Sequence, residues 1–136
     1  MTGTGQEYRF WEVGSWQSGL RVERGLAGLG PGPMAFSNDG RVLAIVKGFH
    51  TIELLDWRSG EVLAEFVSLK PQRIAACVFS PDDGMLAVIG QSAVHLWDLR
   101  ELRRELVALK LDWNQPPYYP STNSLSDVVF RFRGVQ

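Results

Sequence analysis

Hydrophobic residues in this chain fall in short runs that are separated by turn-forming residues. Several runs, such as "VLAIV" and "AACVF", are apolar at successive positions, which is typical of strands buried on both faces. The pattern predicts strands at Glu7–Val13, Arg21–Arg24, Pro33–Ser37, Val42–Lys47, Thr51–Trp57, Glu61–Val67, Ile74–Phe79, Met85–Ile89 and Ala93–Trp97. We therefore expect a fold of short strands.

The chain contains an internal repeat. The stretch "FSNDGRVLAI" (36–45) returns 43 residues later as "FSPDDGMLAV" (79–88). Further on, "TIELLDW" matches "AVHLWDL", so that Asp56 lies 42 residues before Asp98. A partial third copy, "YRFWEVG", places Trp11 44 residues before Leu55. A period of this length indicates a repeated structural unit.

Turn residues recur at one position of each repeat. The order Ser, then Asn or Pro, then Asp is typical of a type I turn. Gly40 can adopt a positive φ at the end of the first turn without strain. Asp83 occupies that position in the second copy, and aspartate tolerates the left-handed region better than most residues. Gly60 is the permissive residue of another predicted hairpin turn, "DWRSGE".

Four short strands per unit and a Trp-Asp pair near the end of the third strand are typical of propeller blades. The chain resembles WD-repeat sequence, with Trp97-Asp98 as the signature, Asp56 preceded by Leu55, and Trp11 followed by Glu12. The resemblance implies structural roles for Trp11, Asp56, Trp97 and Asp98. It predicts an all-β partial β-propeller with about two full four-stranded antiparallel blades, part of a third, a short C-terminal helix and a tail strand.

The repeats depart from the family pattern. No Gly-His precedes either first strand, and Gln91 and Phe49 stand where the family usually has aspartate. The hydrogen-bond network that orders consensus blades is therefore missing. We expect these blades to rely on apolar packing and to be looser than the consensus.

The sequence after Trp97-Asp98 predicts a helix instead of a fourth strand. Leu102, Leu106, Leu109 and Trp113 form one helical stripe, and Asp98 with Glu101 could form a capping box. The resulting organisation is 1–31, the end of a blade and a loop; 32–72, a blade; 73–100, a three-stranded blade; 101–113, the helix; 114–125, a Pro/Tyr-rich linker; and 126–134, a tail strand. We predict that Val128–Arg133 pairs at a free sheet edge.

Composition excludes several classes of function. Fourteen Lys and Arg oppose fifteen Asp and Glu, so no overall field favours nucleic acid or a membrane. The N-terminus lacks the features of a signal peptide, and no apolar run approaches the length of a membrane span. The single cysteine, Cys77, rules out an internal disulfide and fits a reducing compartment. We expect a soluble, cytoplasmic protein.

No motif predicts catalysis, a cofactor or a metal. His50 and His95 lack metal-ligand spacing; we interpret His50 as a solvated turn residue and His95 as a packed or rim residue. Asp82-Asp83 matches half of a calcium loop but fits a turn better. Cys77 occupies an apolar strand position and is predicted to fill the core. Arg100, Arg103 and Arg104 alternate with glutamates, which predicts a solvated helix face.

The function favoured by the sequence is a non-catalytic protein–protein interaction scaffold, the C-terminal part of a longer propeller. The alternative is the regulatory or sensor propeller of a multidomain bacterial signalling protein, such as a Ser/Thr kinase whose catalytic domain is not in this chain. The segment after the last repeat is similar to the C-terminal end of bacterial WD-repeat proteins, whose propellers are often joined to Ser/Thr kinase or other signalling domains. The candidate residues for partner binding are Phe49, His50, Gln91, Lys70 and Gln72.

Two blades and part of a third are too few to close a ring. The unmatched faces would be covered by the remaining blades of a parent chain or by self-association. We expect both end blades to expose an apolar sheet face, and the isolated chain to be oligomeric, aggregated or molten.

Overall fold

The computed structural model of the chain describes residues 1–24, 32–67, 73–113 and 115–118. Its strands are β1 (Thr2–Gly3), β2 (Glu7–Trp11), β3 (Ser18–Glu23), β4 (Met34–Phe36), β5 (Val42–Lys47), β6 (Thr51–Asp56), β7 (Val62–Val67), β8 (Ile74–Phe79), β9 (Met85–Gly90) and β10 (Val94–Asp98). One helix, α1 (Leu99–Ala108), follows them. The protein is therefore mostly β, as the hydrophobic pattern predicts.

The strands form three antiparallel sheets. The first sheet has the order β1-β2-β3, the middle sheet β4-β5-β6-β7 and the last sheet β10-β9-β8. All nine predicted strands are present, although β3 begins at Ser18 instead of Arg21 because Ser18 pairs with Trp11 beyond a bulge. Within the described residues no sheet closes on itself, so the propeller stays a prediction.

The middle sheet is buried on both faces, because the other two sheets cover it. On β5, Leu43 and Ile45 pack with Tyr8 and Phe10 of the first sheet. The alternate residues of Val42–Val46 pack in a second cluster with apolar residues of the last sheet. This double coverage explains why five successive positions of β5 are apolar.

The two repeated turns adopt the predicted conformation. The backbone N–H of Gly40 donates to the Ser37 carbonyl at 3.0 Å, and that of Asp83 donates to the Ser80 carbonyl at 2.9 Å. Gly40 has φ = 67° and Asp83 has φ = 58°. The left-handed conformation predicted for both residues is confirmed.

A polar contact joins the two turns and corrects the expectation that only apolar packing holds the repeats together. The Asp83 carboxylate, which is buried, accepts hydrogen bonds from the backbone N–H groups of Asn38 at 2.6 Å and Asp39 at 3.0 Å. The Asn38 amide donates to Asp83 at 2.9 Å and to the Ser80 carbonyl at 2.8 Å. The residue that takes the left-handed position thus also ties the last sheet to the middle sheet.

The helix has the predicted cap at Asp98, but it begins at Leu99, two residues before the predicted range, and it ends early. The Asp98 carboxylate caps it by accepting from the N–H groups of Arg100 at 3.0 Å and Glu101 at 3.1 Å. Lys110 takes φ = 60°, and the N–H of Leu111 returns to the Leu106 carbonyl at 2.9 Å. This is a Schellman-type ending, so the predicted extension of the helix to Trp113 is wrong.

The predicted tail strand at 126–134, with its expected pairing at Val128–Arg133, lies outside the described residues, as does most of the predicted linker at 114–125. In the part of the chain that the structure describes, the single helix is too short and too polar to cross a membrane.

Candidate interaction surfaces

The turn between β5 and β6 presents the first group of predicted contact residues. Gly48 opens this turn with φ = 68°, a conformation that glycine adopts without strain. The next side chain, Phe49, is 57% exposed at the tip. Gln91, in the turn between β9 and β10, is also exposed. Lys70 and Gln72 lie outside the described residues.

A small cavity lies next to these turns and brings the two histidines together. His50 and His95 line it with apolar side chains of both sheets: Ile52, Phe66, Ile74, Val88 and Trp97. Its volume is about 10 Å³, the least that can hold one water molecule. His50 lies in the turn, as predicted, and is half-buried because the last sheet packs beside it. We name the surface formed by Phe49, His50 and Gln91 the turn rim.

Two of the four residues with predicted structural roles are tryptophans, and they occupy different environments. Trp97 is partly buried against the Phe66 ring, with centroids 4.7 Å apart. Trp11 lies on the first sheet, where its indole N–H donates to the Thr2 hydroxyl at 3.0 Å.

Asp56 and Asp98 make equivalent local contacts, although a hairpin turn comes after one and a helix after the other. Asp56 accepts from the N–H groups two and three residues later, those of Arg58 at 2.9 Å and Ser59 at 3.1 Å. The bond from Ser59, assisted by others, lowers the pKa of Asp56. Asp98 accepts from the same relative positions at the start of α1. The repeated aspartate therefore terminates the third strand of each repeat, whichever element succeeds it.

Cys77 is a core residue, as predicted. It is buried between the middle and last sheets, and burial raises the pKa of its thiol to about 11. The thiol is therefore protonated at neutral pH, and it is a poor nucleophile.

Arg103 corrects the prediction of a solvated arginine face. This side chain is only 7% exposed and pairs with Asp112 through two hydrogen bonds, at 2.9 and 2.8 Å. It also donates to the carbonyls of Trp113, Gln115 and Pro116 at 3.3, 2.8 and 2.7 Å. The sequence pattern did not predict the burial of Arg103, because its partners come from a segment that has no regular secondary structure.

The cleft beside Arg103 has a volume of about 190 Å³ and includes Arg100 and Arg104 in its lining. Arg100 forms an ion pair with Asp82, and Arg104 forms one with Glu101. Because Arg103 is also paired, with Asp112, carboxylates balance the positive charge of this cleft. The cleft therefore does not offer the uncompensated charge of an anion site.

The outer face of the first sheet is charged. Glu7 and Glu23 are opposed across β2 and β3, as are Arg9 and Arg21. Glu7 forms ion pairs with both arginines, and Arg21 also approaches Glu23 at 3.5 Å. The prediction that this end sheet exposes an apolar face is wrong, because these two glutamates and two arginines all lie on its outer face.

The outer face of the last sheet is apolar. Two cross-strand rows form it: Ala76–Ile89–Val94 and Val78–Ala87–Leu96. Val94 is 60% exposed and Leu96 is 50% exposed, with Val78 and Ile89 also in contact with solvent. For this sheet the prediction of an exposed apolar face is confirmed. We call these six residues the outer face of the last sheet.

Metal-ligating side chains do not converge in the described ranges. No group of three or more His, Cys, Asp or Glu residues there has the geometry to hold a metal ion.

No protein-family model matches the chain, and the curated proteins contain no significant relative of it. The resemblance to WD repeats is therefore carried by the repeated motifs of the sequence alone.

Proposed function

We propose that this chain is a non-catalytic protein-interaction module of the WD-repeat type, which binds a protein partner through the turn rim. The exposed aromatic ring of Phe49, at the tip of a turn between two well-packed strands, carries the proposal. Aromatic residues held in this way are common anchors of protein interfaces, since they bury a large area at a low entropic cost.

The packing of the repeats supports the WD-repeat part of the proposal. Equivalent strands of the middle and last sheets stack face to face, and they share one apolar core. Propeller blades are antiparallel sheets that bury their faces on their neighbours in this way.

The neighbourhood of Phe49 favours a protein partner over a small ligand. The adjoining cavity of about 10 Å³ is far below the roughly 300 Å³ at which ligand pockets begin. Its lining residues are mostly apolar, and His50 and His95 are the two among them that can ionise. A surface contact with a side chain of the partner therefore fits this region better than enclosure of a molecule.

Site-specific photo-crosslinking tests the proposal. A photoreactive phenylalanine analogue replaces Phe49 in one variant and Trp16 in a matched control, since Trp16 is an exposed aromatic in the turn between β2 and β3. We expect position 49 to yield a discrete adduct in cells and position 16 to yield none. Competition by unlabelled wild-type chain should remove the adduct, whereas Phe49→Ala chain should not. Equal adducts at both positions, or none at position 49, would refute binding through the turn rim.

A further inference from the structure

We propose that the outer face of the last sheet is a dimer interface, which packs against the same face of a second copy of this chain about a two-fold axis. This goes beyond binding at the turn rim and does not depend on it. Its six residues are all Ala, Val, Leu or Ile and form two complete cross-strand rows, and the next row pairs Met85 with Asp98. Rows of this kind on a sheet that faces solvent are unusual in antiparallel proteins, where exposed positions are mostly polar.

The equivalent face of the middle sheet is covered by a neighbouring sheet. The middle sheet turns Val42, Ala44, Val46, Ile52 and Leu54 toward the last sheet, and all five are at most 2% exposed. Their counterparts one repeat later are Met85, Ala87, Ile89, Val94 and Leu96. Four of these belong to the outer face of the last sheet, and Met85 lies beside them. The exposed face is thus the repeat equivalent of the middle-sheet face that the last sheet covers.

Charge decides which surface of a second copy can cover it. A head-to-tail arrangement would place the outer face of the first sheet on this apolar surface. That would bury the ion pairs of Glu7 with Arg9 and Arg21 against groups that cannot hydrogen-bond with them. Removing such charges from water costs several kcal/mol per ion unless the new environment compensates. The six apolar residues of the outer face of the last sheet have no such cost when they meet their own copy, and the charged Asp98 lies beyond them at the end of β10.

A two-fold axis also gives a closed assembly. The same patch is used once on each subunit, so the association stops at the dimer, whereas a head-to-tail contact would continue to a ring or a filament. Three strands about 4.8 Å apart, each with about five residues at 3.4 Å, cover roughly 250 Å². Because stable interfaces bury about 800 Å² per partner, we expect a reversible dimer that depends on protein concentration.

Light scattering coupled to size-exclusion chromatography tests the dimer on the full chain. With increasing concentration, the mass of the wild type should rise from 15.2 kDa toward twice that value and then stop. Val94→Lys should remain monomeric. The matched control is Val62→Lys, since Val62 is a strand valine on the middle sheet with 51% exposure, and it should dimerise as the wild type does.

Crosslinking distinguishes the two-fold arrangement from its alternatives without weakening the interface. In Leu96→Cys, a short bis-maleimide should link one chain to its copy, because position 96 of each subunit lies within the proposed interface. Val62→Cys should give no such product, and native Cys77 is buried. A wild type that is monomeric at every concentration would overturn the proposal. Growth beyond the dimer, or crosslinking of position 62 as efficiently as position 96, would do so as well.

Discussion

The two end sheets have the same antiparallel architecture but opposite outer faces. On the first sheet, Glu7 opposes Glu23 and Arg9 opposes Arg21, and the four form a chain of ion pairs. On the last sheet, the equivalent area consists of Ala, Val, Leu and Ile. The first face is stable in water, while the second leaves apolar area unburied.

The contrast shows that position in a stack does not fix the chemistry of a face. A charged outer face is stable at the end of the three stacked sheets, because its ionised side chains stay hydrated. An apolar face gains free energy when another surface covers it, at about 25 cal/mol for each Å² removed from water. The two ends of this molecule therefore differ in what they can bind, and four substitutions test that difference.

The largest effect on stability is expected when one position of the repeat is compared in the middle sheet, where it is buried, and in the last sheet, where it is exposed. Leu54→Ala removes a side chain that is 0% exposed between the middle and last sheets, and it should lower the free energy of unfolding by about 3 kcal/mol. Leu96→Ala, at the counterpart position, should cost less than about 1 kcal/mol in dilute solution. Urea unfolding monitored by tryptophan fluorescence measures both. Equal losses would mean that the face of the last sheet is covered within one chain.

An intermediate effect is expected at the contact that fixes the last sheet on the middle sheet. Asp83→Gly keeps the left-handed backbone but deletes the carboxylate that accepts from Asn38 and Asp39. We expect a net loss of about 1–2 kcal/mol, because three hydrogen bonds to a buried charge outweigh the relief of backbone strain. Chemical denaturation checks the sign. A more stable variant would show that the turn conformation matters and the carboxylate does not.

The smallest effect is expected on the charged face. Glu7→Gln removes the ion pairs with Arg9 and Arg21, and exposed pairs of this kind contribute less than about 1 kcal/mol. The melting temperature of the wild type, but not of the variant, should fall slightly with added salt. A large destabilisation at Glu7 would indicate that this face is buried in an assembly, which would break the comparison.

Local sequence patterns predicted most of the fold because the strands are set by local signals. β5 and β8 have the predicted bounds, and the left-handed conformation of Asp83 follows from its place in the repeat. The end of α1 was missed because Leu109 continues the leucine stripe, although the chain reverses at Lys110.

The candidate surfaces were less predictable because they depend on contacts between distant segments. Nothing near His50 or His95 indicates that the stacking of two sheets brings them to one cavity. The charged face of the first sheet, in contrast, was readable: Glu7 and Arg9 alternate with Tyr8 and Phe10. That alternation distinguishes the two end sheets from the sequence alone.

The burial of Arg103 makes the segment after the helix part of a cooperative unit. One guanidinium holds the Asp112 carboxylate and three backbone carbonyls, so these residues are ordered by a side chain and not by a ladder of backbone bonds. Detaching the segment would remove from the Arg103 guanidinium these acceptors and also the rings of Trp113 and Tyr118, which lie against it. Gradual fraying is therefore costly. The segment and α1 should exchange their amide hydrogens through one shared opening event, and a protease should find the segment closed until the helix itself opens.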